Sequence, residues 1–289
     1  MPPDASQDLA ELEAGLDALQ VIEERGPSGA RRLATAVLPP CVALLGFLAL
    51  WQLVAALELK PSYVIPSPLD VWRTISDQWS RGSIAEAIGT SLQRAGFGFA
   101  VSVVAGTVLG LALARVRLLR LGLQPLVAAL QSLPSVAWVP AAIIWFGLTD
   151  GAIYFVVLMG AVPSIAVGLV SGVDQIPPLF LRVGQVLGAR RLTALRHIVL
   201  PAALPSYVGG LKQGWAFAWR SLMAAELITF SPELGFGLGQ LLDSGRQLSD
   251  MSLVFGSIIV ILGVGIGVEL LVFAPLERSV LRRRGLRRA

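Results

Sequence analysis

The sequence Leu179-Phe-Leu-Arg-Val-Gly-Gln-Val-Leu-Gly-Ala-Arg-Arg-Leu-Thr-Ala-Leu-Arg-His-Ile-Val-Leu-Pro-Ala-Ala-Leu-Pro205 is a polar, arginine-bearing stretch between long apolar runs. Gly188 allows the chain to turn sharply after a short helical segment, because glycine has no Cβ. Residues 192–198 predict a short amphipathic helix, and Pro201 predicts the start of the next helix, where a missing N–H is tolerated. The stretch therefore predicts a helical hairpin that can insert into a groove on a soluble partner. The alternative is a solvated basic loop of the kind that commonly flanks membrane helices.

The composition places the chain among membrane proteins. Its 289 residues are 55% hydrophobic and 15% charged, with a mean hydropathy of +0.72, outside the range of soluble globular domains. The pI of about 9.8 does not indicate nucleic-acid binding, because the arginines cluster at loop ends without interleaved aromatic residues. Cys41 is the single cysteine, so neither a disulfide framework nor a metal-ligand cluster is expected.

The fold class predicted is an all-α polytopic membrane protein with six transmembrane helices. A hydrocarbon core of about 30 Å needs about 20 apolar residues per helix. The predicted transmembrane domain covers residues 31–289, with the hairpin as a loop at 178–201. The spans are expected at about 33–57, 95–114, 121–149, 151–173, 202–227 and 251–276. The third span is expected to be kinked, or to begin with a turn on the membrane surface, because it contains three prolines.

Three further segments have distinct patterns. Residues 1–30 predict an acidic amphipathic helix followed by a linker, either a solvated appendage or a contact with a partner subunit. They lack the pattern of a signal peptide. Residues 69–79 predict a short amphipathic helix with Trp72 and Trp79 at the water–lipid boundary. Gly106 and Gly110, four residues apart, predict a close contact between helices.

The distribution of basic residues predicts that both termini lie in the cytoplasm. This orientation gives the cytoplasmic side sixteen arginines and lysines and leaves four outside, at positions 60, 73, 81 and 246. The sixteen are at 25, 31, 32, 115, 117, 120, 182, 190, 191, 196, 278, 282, 283, 284, 287 and 288. Such an excess is typical of cytoplasmic loops.

The hairpin stretch resembles the coupling loop of bacterial ABC-importer permeases. The resemblance rests on Gly188, then nine residues, Ile198, one residue, and Leu200-Pro201. Where the family usually has Glu-Ala-Ala, this chain has Arg182-Val183-Gly184. Residues 91–98, 131–140, 145–148 and 212–226 are similar to permeases of the nitrate/sulfonate/taurine type, so the resemblance covers roughly residues 60–277.

The resemblance implies a type I importer permease in the bacterial inner membrane that works as a dimer, most simply a homodimer. Its partners would be two ABC ATPase subunits and an extracytoplasmic solute-binding protein, and its cargo would be a small anionic solute such as a sulfonate, nitrate or taurine. The ATPase-coupling residues would be Arg182, Gly188, Ala189, Arg190, Arg191, Leu192, Arg196, Leu200 and Pro201. No cofactor is expected in this chain: it has no phosphate-binding Gly-x-x-x-x-Gly-Lys motif, so ATP and Mg would bind to the partner subunits.

Charged residues inside the spans are further candidates. Lys212 and Glu269 are expected about 15 and 11 Å from the cytoplasmic side and could pair, because unpaired charges in a membrane are costly. Alternatively, Lys212 extends to the cytoplasm. His197 either titrates near neutral pH or is an ordinary hydrogen-bonded loop histidine.

A candidate substrate pathway comprises Trp215, Trp219, Arg220 and Ser221. Arg220 lies in the outer half of the fifth span and must face protein or water. It could offer a planar set of donors to an anion, with Ser221 adding a hydroxyl and the tryptophans narrowing the path. Alternatively, Arg220 bridges to Glu226 or caps carbonyls of a neighbouring helix.

Other function classes lack their expected residues. A membrane-embedded enzyme would need carboxylate pairs, a metal site or a nucleophile–base pair, but His197 is the single histidine. A secondary transporter would show inverted repeats and several midplane carboxylates. The sequence shows no such repeat, and Glu269 is the one carboxylate far from the end of a predicted span. Channel filter motifs are also not found.

Overall fold

The computed structural model describes residues 29–58, 61, 63–189, 191–229 and 235–282, with side chains except at 29–37, 191 and 192. The described residues form helices joined by turns and contain no strand. This confirms the all-α class. The acidic N-terminal segment, Arg190 and the basic residues 283–288 lie outside the described part.

The chain divides into two units at residues 59 and 60, and the first helix, α1 (Gly29–Ala56), belongs to the first unit. Pro39 and Pro40 lie inside it, and its described apolar side chains are largely exposed. Phe47 and Trp51 pack ring against ring at 6.2 Å. An apolar helix whose described side chains are mostly exposed suits a lipid environment.

The second unit begins with the amphipathic helix α2 (Pro68–Ser80), which confirms the helix predicted over residues 69–79. Its start is fixed by a capping box: the Ser67 hydroxyl accepts from the Asp70 N–H, and the Asp70 carboxylate accepts from the Ser67 N–H. The hydrogen bond from the Ser67 hydroxyl lowers the pKa of Asp70. Trp72 and Trp79 are exposed, as an interfacial helix requires.

The long helix α3 (Ser83–Arg115) packs on α6 (Asp150–Asp174). A Cβ added at Gly106 would lie 2.8 Å from the Ile165 Cβ, and one at Gly110 would lie 3.0 Å from the Ala166 carbonyl oxygen. The two glycines therefore allow the close contact that their spacing predicted.

The predicted third span is broken. Helix α4 (Arg117–Ser132) ends where Leu133 and Pro134 adopt extended conformations, and the chain resumes as a 3₁₀ turn (Ser135–Trp138) and α5 (Val139–Phe146). The axes of the two parts differ by 102°, the geometry of a broken span or a re-entrant loop. Pro134 disfavours the helical conformation of the residue before it, which explains why a break replaces the expected kink.

The core of the unit is the contact between α6 and α9 (Leu200–Ile228). A Cβ added at Gly168 would lie 2.5 Å from the Gly210 Cα, and one at Gly172 would lie 2.7 Å from the Ala203 carbonyl oxygen. The two backbones thus touch through small residues, the usual way in which membrane helices pack closely. In the sequence, the short helices α7 (Pro178–Val186) and α8 (Arg191–Ala194) lie between α6 and α9.

The last part of the chain comprises three helices. Helix α10 (Leu238–Gln247) packs on α9 and α11 (Met251–Val268), and a π-helical turn (Glu269–Phe273) leads into α12 (Ala274–Arg282). The Asp250 side chain caps α11 by accepting from the Leu253 N–H. Helix α12 returns to contact α9.

Four described segments are long and apolar enough to cross a membrane, and the bent pair would make a fifth. The four are Leu38–Ala56, Ser83–Arg115, Asp150–Asp174 and Met251–Arg282. Helix α9 has the length of the predicted fifth span, but it is not among them because its charged and small residues make it less apolar.

Candidate functional site

The predicted hairpin is present and turns at Gly188. Its φ is +81°, and the Gly188 N–H donates to Gln185 O at 3.0 Å, while the Ala189 N–H donates to Gly184 O at 2.8 Å. These two bonds satisfy the last carbonyls of α7 and form a Schellman motif, which favours glycine at the turn. Gly184 packs directly under the Ile198 side chain, where an added Cβ would lie 2.0 Å from the terminal Ile198 carbon.

The second arm of the hairpin differs from the expectation. The helix predicted over residues 192–198 is an α-helical turn (Arg191–Ala194) followed by a π-helical turn (Leu195–Val199). Pro201 lies in the first turn of α9, as predicted, and the π turn leads into this helix without a break. Pro201 lacks an N–H and its ring crowds the carbonyl four residues before it, which the wider π turn accommodates.

The hairpin exposes apolar as well as basic side chains. Val186 is 87% exposed and Leu187 is 80% exposed at its tip. Arg182 and Arg196 are also exposed, as are Leu200 and Pro201. A groove of about 530 Å³ lies between the arms. It is lined by Leu179, Phe180, Val183, Gly184, Leu187, His197, Ile198, Pro201 and Ala202. The His197 Nδ1 lies 3.1 Å from the Thr193 carbonyl oxygen, as in an ordinary hydrogen-bonded loop histidine.

One face of α9 is open along its length. Between residues 202 and 227 the exposed residues are Gly209, Gln213, Ala216 and Arg220, spaced by four, three and four. This spacing places them on a single face, which we call the α9 stripe. The other residues between 202 and 227 are buried or partly buried, and α9 is contacted by α3, α6, α10 and α12.

Arg220 lies at one end of the stripe, beside the break between α4 and α5. It contributes to a pocket of about 350 Å³ whose other polar side chains are Gln131, Ser132 and Ser135. The guanidinium carbon lies 4.7 Å from the centroid of the Phe217 ring, and Nε donates to the Ala216 carbonyl oxygen at 3.0 Å. The alternative bridge from Arg220 to Glu226 is therefore wrong, and the carbonyl that Arg220 contacts belongs to α9 itself and not to a neighbouring helix.

Trp215 and Trp219 do not share this pocket, contrary to the expectation that they narrow the same path. Both are buried, and their rings stack on each other at 6.2 Å. Trp215 also packs against Phe99 at 5.3 Å and Phe273 at 6.0 Å. At roughly 100° per residue, both indoles point well away from Arg220 around the helix, into the core.

Ser221 is fully buried and faces the broken helix. Its hydroxyl donates to the Ser135 Oγ at 2.7 Å, and a Cβ added at Gly160 would lie 2.2 Å from the Ser221 Oγ. Nearby, the Gln131 side chain donates to the Ser164 hydroxyl at 3.1 Å. Ser221 therefore fixes the wall of the pocket instead of offering a free hydroxyl.

The structure brings Lys212 and Glu269 together. The Lys212 Nζ lies 2.6 Å from Glu269 Oε1 and 3.3 Å from Glu277 Oε2. Glu277 was not expected in this cluster. It joins because the π turn and α12 extend the last helix back along α9.

A buried ion pair between Arg94 and Glu226 was missed by the sequence reasoning. Arg94 Nη1 lies 3.1 Å from Glu226 Oε1, and Arg94 Nε donates to Asp150 at 2.9 Å. The other Glu226 oxygen accepts from the Ser91 hydroxyl at 2.7 Å and from the Gly239 N–H at 3.0 Å. The signal in the sequence was a charge, Arg94, directly before a long apolar run, since a charge inside a membrane helix requires a partner.

This network joins four helices. Ser91 also accepts the Leu238 N–H at 2.9 Å, so α3 and α9 together hold the first turn of α10. A Cβ added at Gly237 would lie 2.6 Å from the Glu226 carboxylate, which explains the glycine there. The arrangement fixes α10 where α9 ends and where α3 and α6 begin.

Comparison with known proteins agrees with this fold. Residues 103–277 match the family model described as the binding-protein-dependent transport system inner membrane component. The chain is 30% identical over 215 residues to the nitrate import permease of Leptolyngbya laminosa, covering 73% of this chain and 77% of the relative. It is also 30% identical over 270 residues to a bicarbonate transport permease of Synechococcus elongatus, covering 89% and 95% respectively.

Among solved structures, an inward-facing methionine ABC transporter matches with a TM-score of 0.52 at 18% identity. The match covers 68% of this chain and 94% of that chain, and it shows the fold alone. The chain belongs to the family of inner membrane components of binding-protein-dependent transport systems, the permease subunits of ABC importers.

Proposed function

We propose that this permease forms the translocation pathway for a small anion such as nitrate, bicarbonate, a sulfonate or taurine. The observation that carries the proposal is the α9 stripe, an exposed face with a glutamine and an arginine on a helix of membrane-spanning length. An arginine facing lipid near the bilayer centre costs about 2.5 kcal/mol or more. The stripe therefore faces water or another protein.

Arg220 is the residue that we assign to the anion. Its guanidinium presents a planar set of donors that suits carboxylate, nitrate and sulfonate oxygens. One nitrogen is engaged with the Ala216 carbonyl, and the exposed remainder borders the pocket at the helix break. The names of the relatives that transport nitrate and bicarbonate support an anionic cargo.

The hairpin is the proposed contact with the ATPase. Apolar side chains that are 80–87% exposed at a hairpin tip indicate a surface that a partner covers. The proposed docking residues are Arg182, Gly188 to Leu192, Arg196, Leu200 and Pro201. ATP and Mg would bind to the two partner ATPase subunits, which supply the energy.

The proposed assembly contains two copies of this permease, two ATPases and an extracytoplasmic binding protein. Each copy would span the membrane six times, with α9 and the bent α4–α5 pair counted as spans and both termini in the cytoplasm. The sixteen-to-four distribution of basic residues supports this orientation.

The test is uptake into proteoliposomes that contain the assembled transporter. The anion is first chosen as whichever of nitrate, bicarbonate or taurine the binding protein binds by calorimetry. We expect Arg220→Gln to abolish ATP-dependent uptake with assembly intact, and Arg220→Lys to retain part of it. The matched control is Arg73→Gln, because Arg73 is 71% exposed on α2 and away from the pocket.

Two outcomes would contradict the proposal. Uptake by Arg220→Gln at the wild-type rate would remove the pathway role of Arg220. Uptake that persists without any ATPase would instead indicate a secondary transporter.

A further inference from the structure

Gln213 is the second polar residue of the α9 stripe. It lies seven residues before Arg220, or two helical turns and about 10 Å, toward the hairpin end of α9. Gln213 is exposed, and its side chain makes no hydrogen bond with another described residue. A carboxamide on a membrane helix needs partners, because it carries two N–H donors and one carbonyl acceptor.

The space around Gln213 is open. A Cβ added at Gly209 would meet no heavy atom within 4 Å, and Ala216 has a small side chain. The two small residues flank Gln213 along the stripe, and Ala216 is the stripe residue between it and Arg220, beside the Phe217 ring that packs on the Arg220 guanidinium. A small solute at Arg220 would meet Gln213 next on this face.

The neighbouring cation is not available to an anion at this level. Lys212 contacts Glu269 at 2.6 Å and Glu277 at 3.3 Å, so two carboxylates surround one ammonium group. Among the residues that the structure describes, Gln213 is thus a donor of the stripe at this depth that has no hydrogen-bond partner. A neutral donor suits a passage site, since transport requires binding that is favourable but weak enough for release.

We infer that Gln213 is a second contact for the transported anion, and that its carboxamide N–H groups receive the anion after Arg220. The inference rests on the proposed function and adds a specificity-determining residue to the same pathway. Because Gln213 is neutral, it passes the anion on, whereas a fixed charge here would repel or retain it.

The experiment varies the charge at position 213 in the assembled transporter. Uptake is measured in proteoliposomes with the anion selected above. Anion retained by the detergent-solubilised permease–ATPase complex, without binding protein, is measured by equilibrium dialysis. Gln213→Glu is expected to lower both quantities at least about tenfold through like-charge repulsion. Gln213→Ala is expected to lower uptake roughly threefold to tenfold through the lost hydrogen bond.

Gln213→Arg is the decisive variant, because uptake and anion retention are expected to change in opposite directions. It should slow uptake but raise the amount of anion retained, which a merely structural role would not do. The matched control is Gln78→Glu, the same charge change on the amphipathic helix α2, with both quantities expected at wild-type values.

Two results separate the failure of this inference from failure of the function. In the first, wild type transports the anion and Arg220→Gln does not, but all Gln213 variants have the same uptake and retention as Gln78→Glu. Gln213 then has no role in the pathway, and the proposed function stands. If wild type shows no ATP-dependent uptake of any of the three anions, the proposed function falls and this inference with it. Should Gln213→Glu not assemble, the opposite changes in uptake and retention for Gln213→Arg still decide.

Discussion

Removing the Glu226 carboxylate should destabilise the permease more than any substitution at its exposed ion pairs. Glu226 is fully buried and Arg94 is 4% exposed, so Glu226→Ala leaves a buried guanidinium without this counter-ion. It also leaves the Ser91 hydroxyl and the Gly239 N–H without their acceptor. Breaking a buried ion pair by removing one partner costs about 3–5 kcal/mol.

The assay is the free energy of unfolding of the purified permease in mixed micelles, from SDS titration followed by tryptophan fluorescence. Asp150→Asn is the matched control, because Asp150 contacts the same arginine but is 47% exposed. A half-exposed pair contributes about 1 kcal/mol or less. The double variant Arg94→Met/Glu226→Leu should lose less stability than Glu226→Ala, since it leaves no buried charge unpaired.

Two results would refute this reasoning. Glu226→Ala within about 1 kcal/mol of wild type would show that water or relaxation compensates the lost carboxylate. A double variant as destabilised as the sum of its single variants would show that Arg94 and Glu226 act independently.

Three further predictions concern the hairpin, the lysine cluster and the cap of α2. Gly188→Val should abolish ATP-coupled uptake while membrane insertion persists, because φ is +81° there, and Gly89→Val, at an open helical glycine without positive φ, is the control. In SDS titration, Lys212→Met should lower the free energy of unfolding more than the double variant Lys212→Met/Glu269→Gln does, because the double variant leaves one unpaired carboxylate fewer. Equal decreases in the free energy of unfolding would contradict this. The Ser67 hydroxyl lowers the pKa of Asp70 from its ordinary value of 3.8, so the stability that Asp70 gives to the start of α2 should be fully present above pH 3.8 and be lost as the pH falls through the lowered pKa. Amide exchange in α2 would measure this pH dependence, and Ser67→Ala should remove it.

Local patterns predicted the parts of the fold that depend on near neighbours in sequence. The amphipathic run over residues 69–79 indicated α2, and the structure adds Pro68 in its first turn and the Ser67 cap. Gly188 indicated the turn of the hairpin because a positive φ is a property of one residue and its hydrogen-bonded neighbours. The expected depths of Lys212 and Glu269 were enough to suggest a pair that the structure contains.

Features that depend on tertiary packing were not predictable in this way. The prolines of residues 121–149 indicated an interruption, but they did not distinguish a kink from the 102° break at Pro134. Periodicity showed that Trp215 and Trp219 share a face, but it did not show that α3 and the last helix cover it. The Arg94–Glu226 pair joins residues 132 apart, which a single sequence does not bring together.

The most direct test of the central claim is anion uptake by the reconstituted transporter with and without ATP hydrolysis. Proteoliposomes would contain this permease, its ATPase subunits and its binding protein, with hydrolysable ATP or a non-hydrolysable analogue supplied on the ATPase side. We expect nitrate, bicarbonate or taurine to accumulate only when hydrolysable ATP is supplied, and we expect Arg220→Gln to abolish this accumulation. Accumulation that is the same with the analogue, or in vesicles without the ATPase, would contradict an ATP-driven anion importer.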